Sequence, residues 1–161
     1  GFGSMDSQDS VRMTSIAIEA LDLCGCRGVF ATGWGGLQTD ALPNTIFPIR
    51  EIPHAWLFPR MAALVHHGGM GTTAAGLRAG IPSVILPIGA DQFFWANRVQ
   101  KLQVGLSKNY FKKTTKQLAS VITKAMRDPI LRENAAVLGE KIRAEQGVEQ
   151  AVKLIKEYCP I

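Results

Sequence analysis

A glycine-rich loop near the middle of the chain has the residue types of a phosphate site. Residues 64–72 read LVHHGGMGT, an apolar run followed by three glycines in four residues, and small residues continue to Gly80. Glycine permits positive φ angles and close approach of a ligand, while the N–H groups of a helix N-terminus favour phosphate. His67, next to the glycines, can donate a further hydrogen bond to phosphate. The pattern predicts a strand, a phosphate-binding loop and a helix that Thr72 or Thr73 caps and Gly80 ends.

Two well-known nucleotide loops do not fit this segment. No Gly-Lys-Ser/Thr follows the glycines, which excludes the Walker loop, and their order is not the GxGxxG of the dinucleotide fingerprint. The alternative is a strand-to-helix turn that is rich in glycine for structural reasons alone. Because strand side chains alternate, His66 is expected to face away from His67 and to pack in the core.

An acid and an amide follow the next apolar run. The run 83–87 has strand character, and Asp91 and Gln92 come shortly after it. Because ligands bind beyond the carboxyl ends of parallel strands, both side chains are expected at the same sheet edge as the glycine loop. A carboxylate accepts hydrogen bonds and an amide both accepts and donates, which suits neighbouring sugar hydroxyls. The alternative is that Asp91 caps the following helix, and the two roles can coexist.

Short apolar runs alternate with helical patterns along the chain. Strands separated by helices pair in parallel through right-handed crossovers. The sequence therefore predicts an α/β fold, a doubly wound parallel sheet with helices on both faces. The predicted strands are 28–32, 45–47, 63–66 and 83–87, and the predicted helices are 10–23, 72–79, 92–102, 115–127, 129–145 and 147–158.

Composition narrows the class of protein. The chain has 161 residues, of which 47% are hydrophobic and 19% charged, as in one compact domain. No apolar run is long enough to span a membrane, and the N-terminus lacks the pattern of a signal peptide and resembles the end of a strand. The predicted unit is thus one domain over 1–161, a fragment of a longer chain.

Charge and cysteine content bear on partners. The net charge is +5, and residues 98–161 hold 13 basic and 6 acidic groups. The densest basic stretch, Lys108, Lys112, Lys113 and Lys116, does not have the arrangement of common nucleic-acid modules, so no nucleic-acid partner is expected. A solvated helix face or attraction to anionic lipid explains the charge. Three cysteines without a CxxC pair support neither a zinc site nor a disulfide framework, which favours a reducing compartment.

Five motifs in fixed order resemble the donor-binding half of two-Rossmann-domain (GT-B) nucleotide-sugar glycosyltransferases. They look most like the sterol 3-beta-glucosyltransferase branch, and the likeness spans roughly residues 1–105. Five ordered motifs are far more specific than one glycine loop. The motifs are GFGS at 1–4, GWGGL at 33–37, IPHAWLFP at 52–59, the segment 66–80, and DQFFW at 91–95.

The resemblance implies a role for each matching residue. The diphosphate lies against the glycine loop and the histidine before it, and the acid and amide hold the sugar hydroxyls. A tryptophan loop and the backbone near Ile52 flank the uracil, and a hydroxyl residue after the first strand lies near the distal phosphate. These donor-binding residues are Ser4, Trp34, Ile52, His67, Gly69, Gly71, Thr72, Asp91 and Gln92.

The resemblance also implies where catalysis occurs. Transfer needs a base for the acceptor hydroxyl and an electrostatic clamp on the leaving diphosphate. In the family the base is a histidine of a preceding acceptor-binding domain, so no catalytic residue is expected in this chain and the isolated domain is expected to be inactive. No metal or other cofactor is implied, because the helix dipole and His67 can neutralise the diphosphate.

The function that follows from the resemblance is UDP-glucose binding within an inverting glycosyltransferase. Its acceptor would be a sterol or another lipid-like hydroxyl, and the protein would be cytoplasmic, with peripheral contact to a membrane. Two alternatives stay open. One is a nucleotide-sugar-binding regulatory module without transferase activity, and the other is half of a nucleotide-sugar epimerase, which needs acidic and histidine residues from both domains.

Overall fold

The computed structural model of the chain describes residues 7–31, 42–108 and 114–159. The strands described are β1 (Gly28–Ala31), β2 (Ile46–Ile49), β3 (Leu64–His66), β4 (Ser83–Ile85) and β5 (Gly105–Ser107). One sheet pairs β1 with β2, and the other has β4 between β3 and β5. Every one of these pairings is parallel, which confirms the predicted α/β fold.

Helices connect and follow the strands. The helices described are α1 (Ser7–Cys24), α2 (His54–Leu57), α3 (Met70–Ala79), α4 (Gln92–Lys101), α5 (Thr115–Arg127), α6 (Pro129–Ala144) and α7 (Gly147–Tyr158). A 3-10 turn, Phe58–Arg60, continues α2. The bounds of α5 and α7 agree with the predicted ones, whereas the short α2 was not predicted.

Strand β4 lies between two hydrophobic clusters. On one face Val84 and Leu86 pack with residues of α1 and α5. On the other face Ile85 packs with Val99 of α4 and Ala135 of α6. Successive residues of a strand point to opposite faces, so this division shows helices on both sides of the sheet. The doubly wound arrangement predicted from the alternation of strands and helices is therefore present.

Helices α5 and α6 each begin at a residue whose side chain caps the helix. The Thr114 hydroxyl accepts from the backbone N–H of Gln117, and the Gln117 side chain accepts from the backbone N–H of Thr114, which is a capping box. The Asp128 carboxylate accepts from the N–H groups of Ile130 and Leu131 at 3.0 and 3.3 Å, with proline at the first helical position. These local signals explain why both helices start where the sequence predicts.

The sequence does not predict strand β5, because the strand is short and begins with Gly105. Glycine is a poor strand former, yet here the close approach of two backbones requires it. A Cβ at Gly105 would overlap the backbone oxygen of Ser83 on β4 and lie 2.6 Å from Cγ1 of Val99. Both neighbours are buried, so neither can give way easily.

We expect Gly105→Ala to lower the free energy of unfolding by about 3 kcal/mol, because overpacking at a backbone contact forces the β4–β5 pair apart. Urea unfolding of the chain measures this. Gly147→Ala is the matched control, since nothing lies within 4 Å of a Cβ there. Equal midpoints for the two variants would contradict the packing argument.

Candidate functional site

The glycine loop turns sharply between β3 and α3. Gly68 has a φ angle of 97°, a region that other residues rarely adopt. Gly69 then occupies the N-cap position of α3, and no side chain caps the helix. The first N–H groups of a helix have no intrahelical partner, so those at the start of α3 are available to an anion.

The predicted cap of this helix was wrong. Neither Thr72 nor Thr73 caps it, because α3 already begins at Met70. Thr73 is buried one turn into the helix, where its hydroxyl donates to the backbone oxygen of Gly69 at 3.0 Å. The predicted end is confirmed, since Gly80 adopts the left-handed conformation with a φ angle of 73°.

His66 is a structural residue, as predicted. Its side chain is 2% exposed, and its Nδ1 accepts the backbone N–H of Gly68 at 3.1 Å. Burial lowers the pKa of His66 to about 3, so the imidazole stays neutral and keeps this acceptor. The N–H of Gly68 therefore holds the turn together and is not available to a ligand.

His67 lies over the start of α3. A Cβ on Gly69 would come within 2.6 Å of its Nε2, so the absence of a side chain at Gly69 is what lets the imidazole approach. His67, Ile52 and Thr72 all line one cavity of about 920 Å³ that extends between the two sheets. The structure thus brings three of the predicted donor-binding residues to one cavity.

Asp91 does not cap helix α4 with its side chain. It occupies the N-cap position, but no hydrogen bond runs from its carboxylate to the first turn. Instead Oδ2 accepts from Nε1 of Trp95 at 2.9 Å. Asp91 is exposed, and a carboxylate can accept more than one hydrogen bond, so it retains the capacity to accept one from a ligand.

The orientation of the Gln92 side-chain amide is fixed by hydrogen bonds from the backbone. Its Oε1 accepts from the backbone N–H groups of Ile88 and Gly89 at 2.8 and 3.3 Å. Backbone N–H groups only donate, so the amide oxygen must face them and the amide NH2 must face away. The expectation that Gln92 both accepts from and donates to a sugar is corrected here, because the structure commits its oxygen to the loop.

The glycine loop and the acid-amide pair meet at one edge of the sheet. A Cβ on Gly68 would lie 3.4 Å from the backbone oxygen of Gln92 and 3.5 Å from its Cβ. Strand β3 is joined to the segment after β4 by a hydrogen bond from the N–H of Leu86 to the oxygen of His66, at 2.9 Å. The predicted juxtaposition of the two motifs is confirmed.

Two predicted residues, Ser4 and Trp34, lie outside the described residues. Within the described ranges no group of three or more His, Cys, Asp or Glu side chains is placed to hold a metal ion. None of the helices described in the structure is both long and apolar enough to cross a membrane.

A parallel α/β domain with helices on both faces, and with a glycine loop and a polar pair at one sheet edge, has the architecture of a Rossmann-like domain. Residues 34–157 match the family described as Erythromycin biosynthesis protein CIII-like, C-terminal domain. The chain belongs to this family of GT-B glycosyltransferase C-terminal domains.

Curated relatives of the chain share a name. A sterol 3-beta-glucosyltransferase of Cryptococcus neoformans is 41% identical over 169 residues, which cover 96% of this chain and 10% of that protein. A sterol 3-beta-glucosyltransferase of Arabidopsis thaliana is 39% identical over 161 residues, covering 99% of this chain and 25% of that protein. The chain thus spans between a tenth and a quarter of the length of these relatives.

Solved glycosyltransferases share the fold. The glycosyltransferase of kitacinnamycin superposes with a TM-score of 0.85 at 24% identity, over 99% of this chain and 42% of that one. Glycosyltransferase VinC in complex with DTDP superposes with a TM-score of 0.76 at 19% identity, over 97% of this chain and 41% of that one.

Proposed function

We propose that this chain binds the sugar donor UDP-glucose as the donor half of an inverting glycosyltransferase whose acceptor is a sterol or another lipid-like hydroxyl. The observation that carries this proposal is the junction of the uncapped α3 N-terminus, His67 and the acid-amide pair. At this junction, helix N–H groups that can bind a diphosphate lie next to side chains that can bind sugar hydroxyls. The two parts are in contact, since a Cβ at Gly68 would lie 3.4 Å from the backbone oxygen of Gln92.

The diphosphate is assigned to the start of α3. The N–H groups of Gly71 and Thr72 and the helix dipole attract negative charge, and the His67 imidazole lies beside them. As the bond from the anomeric carbon to the diphosphate oxygen breaks, negative charge builds up on that oxygen. These groups stabilise it in place of a metal ion. Ser4 near the distal phosphate and Trp34 near the uracil remain predictions.

The sugar is assigned to the acid-amide pair. Asp91 offers an acceptor, and Gln92 offers the two N–H groups of its amide because its oxygen is held by the β4–α4 loop. A pair of opposite polarity can bind two neighbouring hydroxyls, one donating and the other accepting. Glucose is proposed because the relatives at 39 to 41% identity are sterol 3-beta-glucosyltransferases.

The acceptor is assigned to a domain outside this chain. The acceptor oxygen attacks the anomeric carbon from the side opposite the diphosphate, and a base of that domain takes the hydroxyl proton. A lipid-like acceptor places the protein at a membrane surface in peripheral contact. The 13 basic and 6 acidic groups of residues 98–161 suit attraction to anionic lipid.

Calorimetric titration with UDP-glucose, UDP and ADP tests the donor site. The chain is expected to bind both uridine ligands and not ADP. His67→Ala should weaken UDP and UDP-glucose alike by about tenfold or more, because a hydrogen bond to a charged phosphate is lost. Asp91→Ala should remove only the additional affinity that the sugar provides.

Three results would contradict the proposal. A folded chain that binds no uridine nucleotide removes its basis, and circular dichroism establishes whether the chain is folded. A full-length protein that binds UDP-glucose but transfers no glucose to a sterol would favour the regulatory module, and one that interconverts sugars would favour the epimerase.

A further inference from the structure

We propose that Trp95 is a positioning residue for the donor sugar, which it serves by holding the Asp91 carboxylate in the orientation that receives a sugar hydroxyl. The inference rests on the proposed function, since it assumes that Asp91 contacts the sugar. It assigns a role in sugar binding to Trp95, the last residue of the motif DQFFW.

The contact is direct and local. Nε1 of Trp95 donates to Oδ2 of Asp91 at 2.9 Å, a normal length for a hydrogen bond to a charged oxygen. The two residues are four apart at the start of α4, the spacing that places side chains on the same face of a helix. An indole has one donor and no acceptor, so the polarity of this bond cannot reverse.

The surroundings show why such a bond matters for Asp91. The carboxylate is exposed and makes no capping hydrogen bond, so without the indole its torsions would be free to vary in water. Trp95 is half-buried, and the exposed ring of Phe94 meets it edge to face with ring centroids 5.0 Å apart. The half-buried indole therefore restrains a carboxylate that would otherwise be mobile.

The neighbouring residue of the pair is fixed in an analogous way. Gln92 is held through its oxygen by two backbone N–H groups, and Asp91 is held through one oxygen by Trp95. One carboxylate oxygen and one amide NH2 remain for the ligand. The pair is thereby oriented before the sugar arrives, which lowers the entropy cost of binding.

Trp95→Phe tests the inference because it removes the N–H and keeps an aromatic ring. We expect its affinity for UDP to equal that of the wild type and its affinity for UDP-glucose to fall about five- to tenfold. Trp56→Phe is the matched control, since Trp56 is 52% exposed and its ring contacts the guanidinium of Arg60. That control should leave the ratio of the two affinities unchanged.

A double variant separates positioning from a general effect on the fold. If Trp95 acts through Asp91, Asp91→Ala combined with Trp95→Phe should bind UDP-glucose no more weakly than Asp91→Ala alone. The inference would be overturned if the losses of UDP-glucose affinity in the two single variants add in the double variant. It would also be overturned if Trp95→Phe weakens UDP as much as UDP-glucose, or if Trp95→Phe leaves the affinity for UDP-glucose unchanged. If Asp91→Ala itself leaves the sugar's contribution intact, the proposed sugar site fails and the inference fails with it.

Discussion

Gly68→Ala is expected to destabilise the chain by about 3 kcal/mol and to abolish binding of UDP and UDP-glucose. Two costs add. A φ angle of 97° is unfavourable for any residue with a Cβ, and the new Cβ would lie 2.6 Å from Cγ2 of Ile85. Ile85 is completely buried in the cluster between α4 and α6, so it cannot move aside. The loop must shift, and the N–H groups at the start of α3 shift with it.

Urea unfolding and calorimetric titration of the same preparation measure both effects. Gly71→Ala is the matched control for stability, because nothing lies within 4 Å of a Cβ there and alanine is the better helix former. Its free energy of unfolding should be unchanged or slightly higher. If Gly68→Ala unfolds at the same urea concentration as the wild type, the turn does not depend on glycine.

His66 is expected to make the chain less stable as the pH falls below 6.5. The unfolded chain binds a proton at the ordinary histidine pKa of 6.5, whereas in the folded chain burial lowers the pKa of His66 to about 3. Between these values the unfolded state alone is protonated. The free energy of unfolding should therefore fall by about 1.4 kcal/mol per pH unit from this group, levelling off below pH 3.

His66→Asn isolates this contribution. The asparagine oxygen can replace Nδ1 as the acceptor for the N–H of Gly68, but it does not titrate. Urea unfolding between pH 8 and pH 4 should show that the difference in the free energy of unfolding between wild type and variant is constant above pH 7 and shrinks below pH 6.5.

His54→Asn is the control. His54 is exposed and stacks on Phe58 at 4.3 Å, and partial burial lowers its pKa, so its removal should change the slope much less. Parallel curves for wild type and His66→Asn would contradict the role assigned to burial.

The parts of the fold that sequence predicted well are those with local signals. Helix α5 was predicted with its observed bounds because Thr114 and Gln117 form a capping box, and the start of α6 because Asp128 and Pro129 mark it. Strand β5 was missed because its only large apolar residue is Leu106, and the need for Gly105 arises from a contact with β4 that is distant in sequence.

The candidate site also has features that the sequence predicts and features that it does not. The meeting of the glycine loop with Asp91 and Gln92 was predicted, because it follows from parallel strands ending at one edge. The start of α3 was predicted wrongly, because two threonines offered caps and the structure uses Gly69 instead. The orientation of the Gln92 amide depends on loop geometry that no pattern encodes. The contact between Asp91 and Trp95 did have a signal, their spacing of four residues on a helix.

The position of β4 between two hydrophobic clusters affects how fast its amide hydrogens exchange with solvent and how a bound ligand stabilises the domain. Val84, Ile85 and Leu86 are completely buried, so their amides should exchange with solvent only when the whole domain unfolds. Both loops of the site leave the sheet from β4 and its neighbour β3. The site therefore exists only while this slowest-exchanging region is intact, and a bound sugar nucleotide draws the whole domain toward its native state. Each tenfold rise of that nucleotide above its Kd should add about 1.4 kcal/mol to the free energy of unfolding.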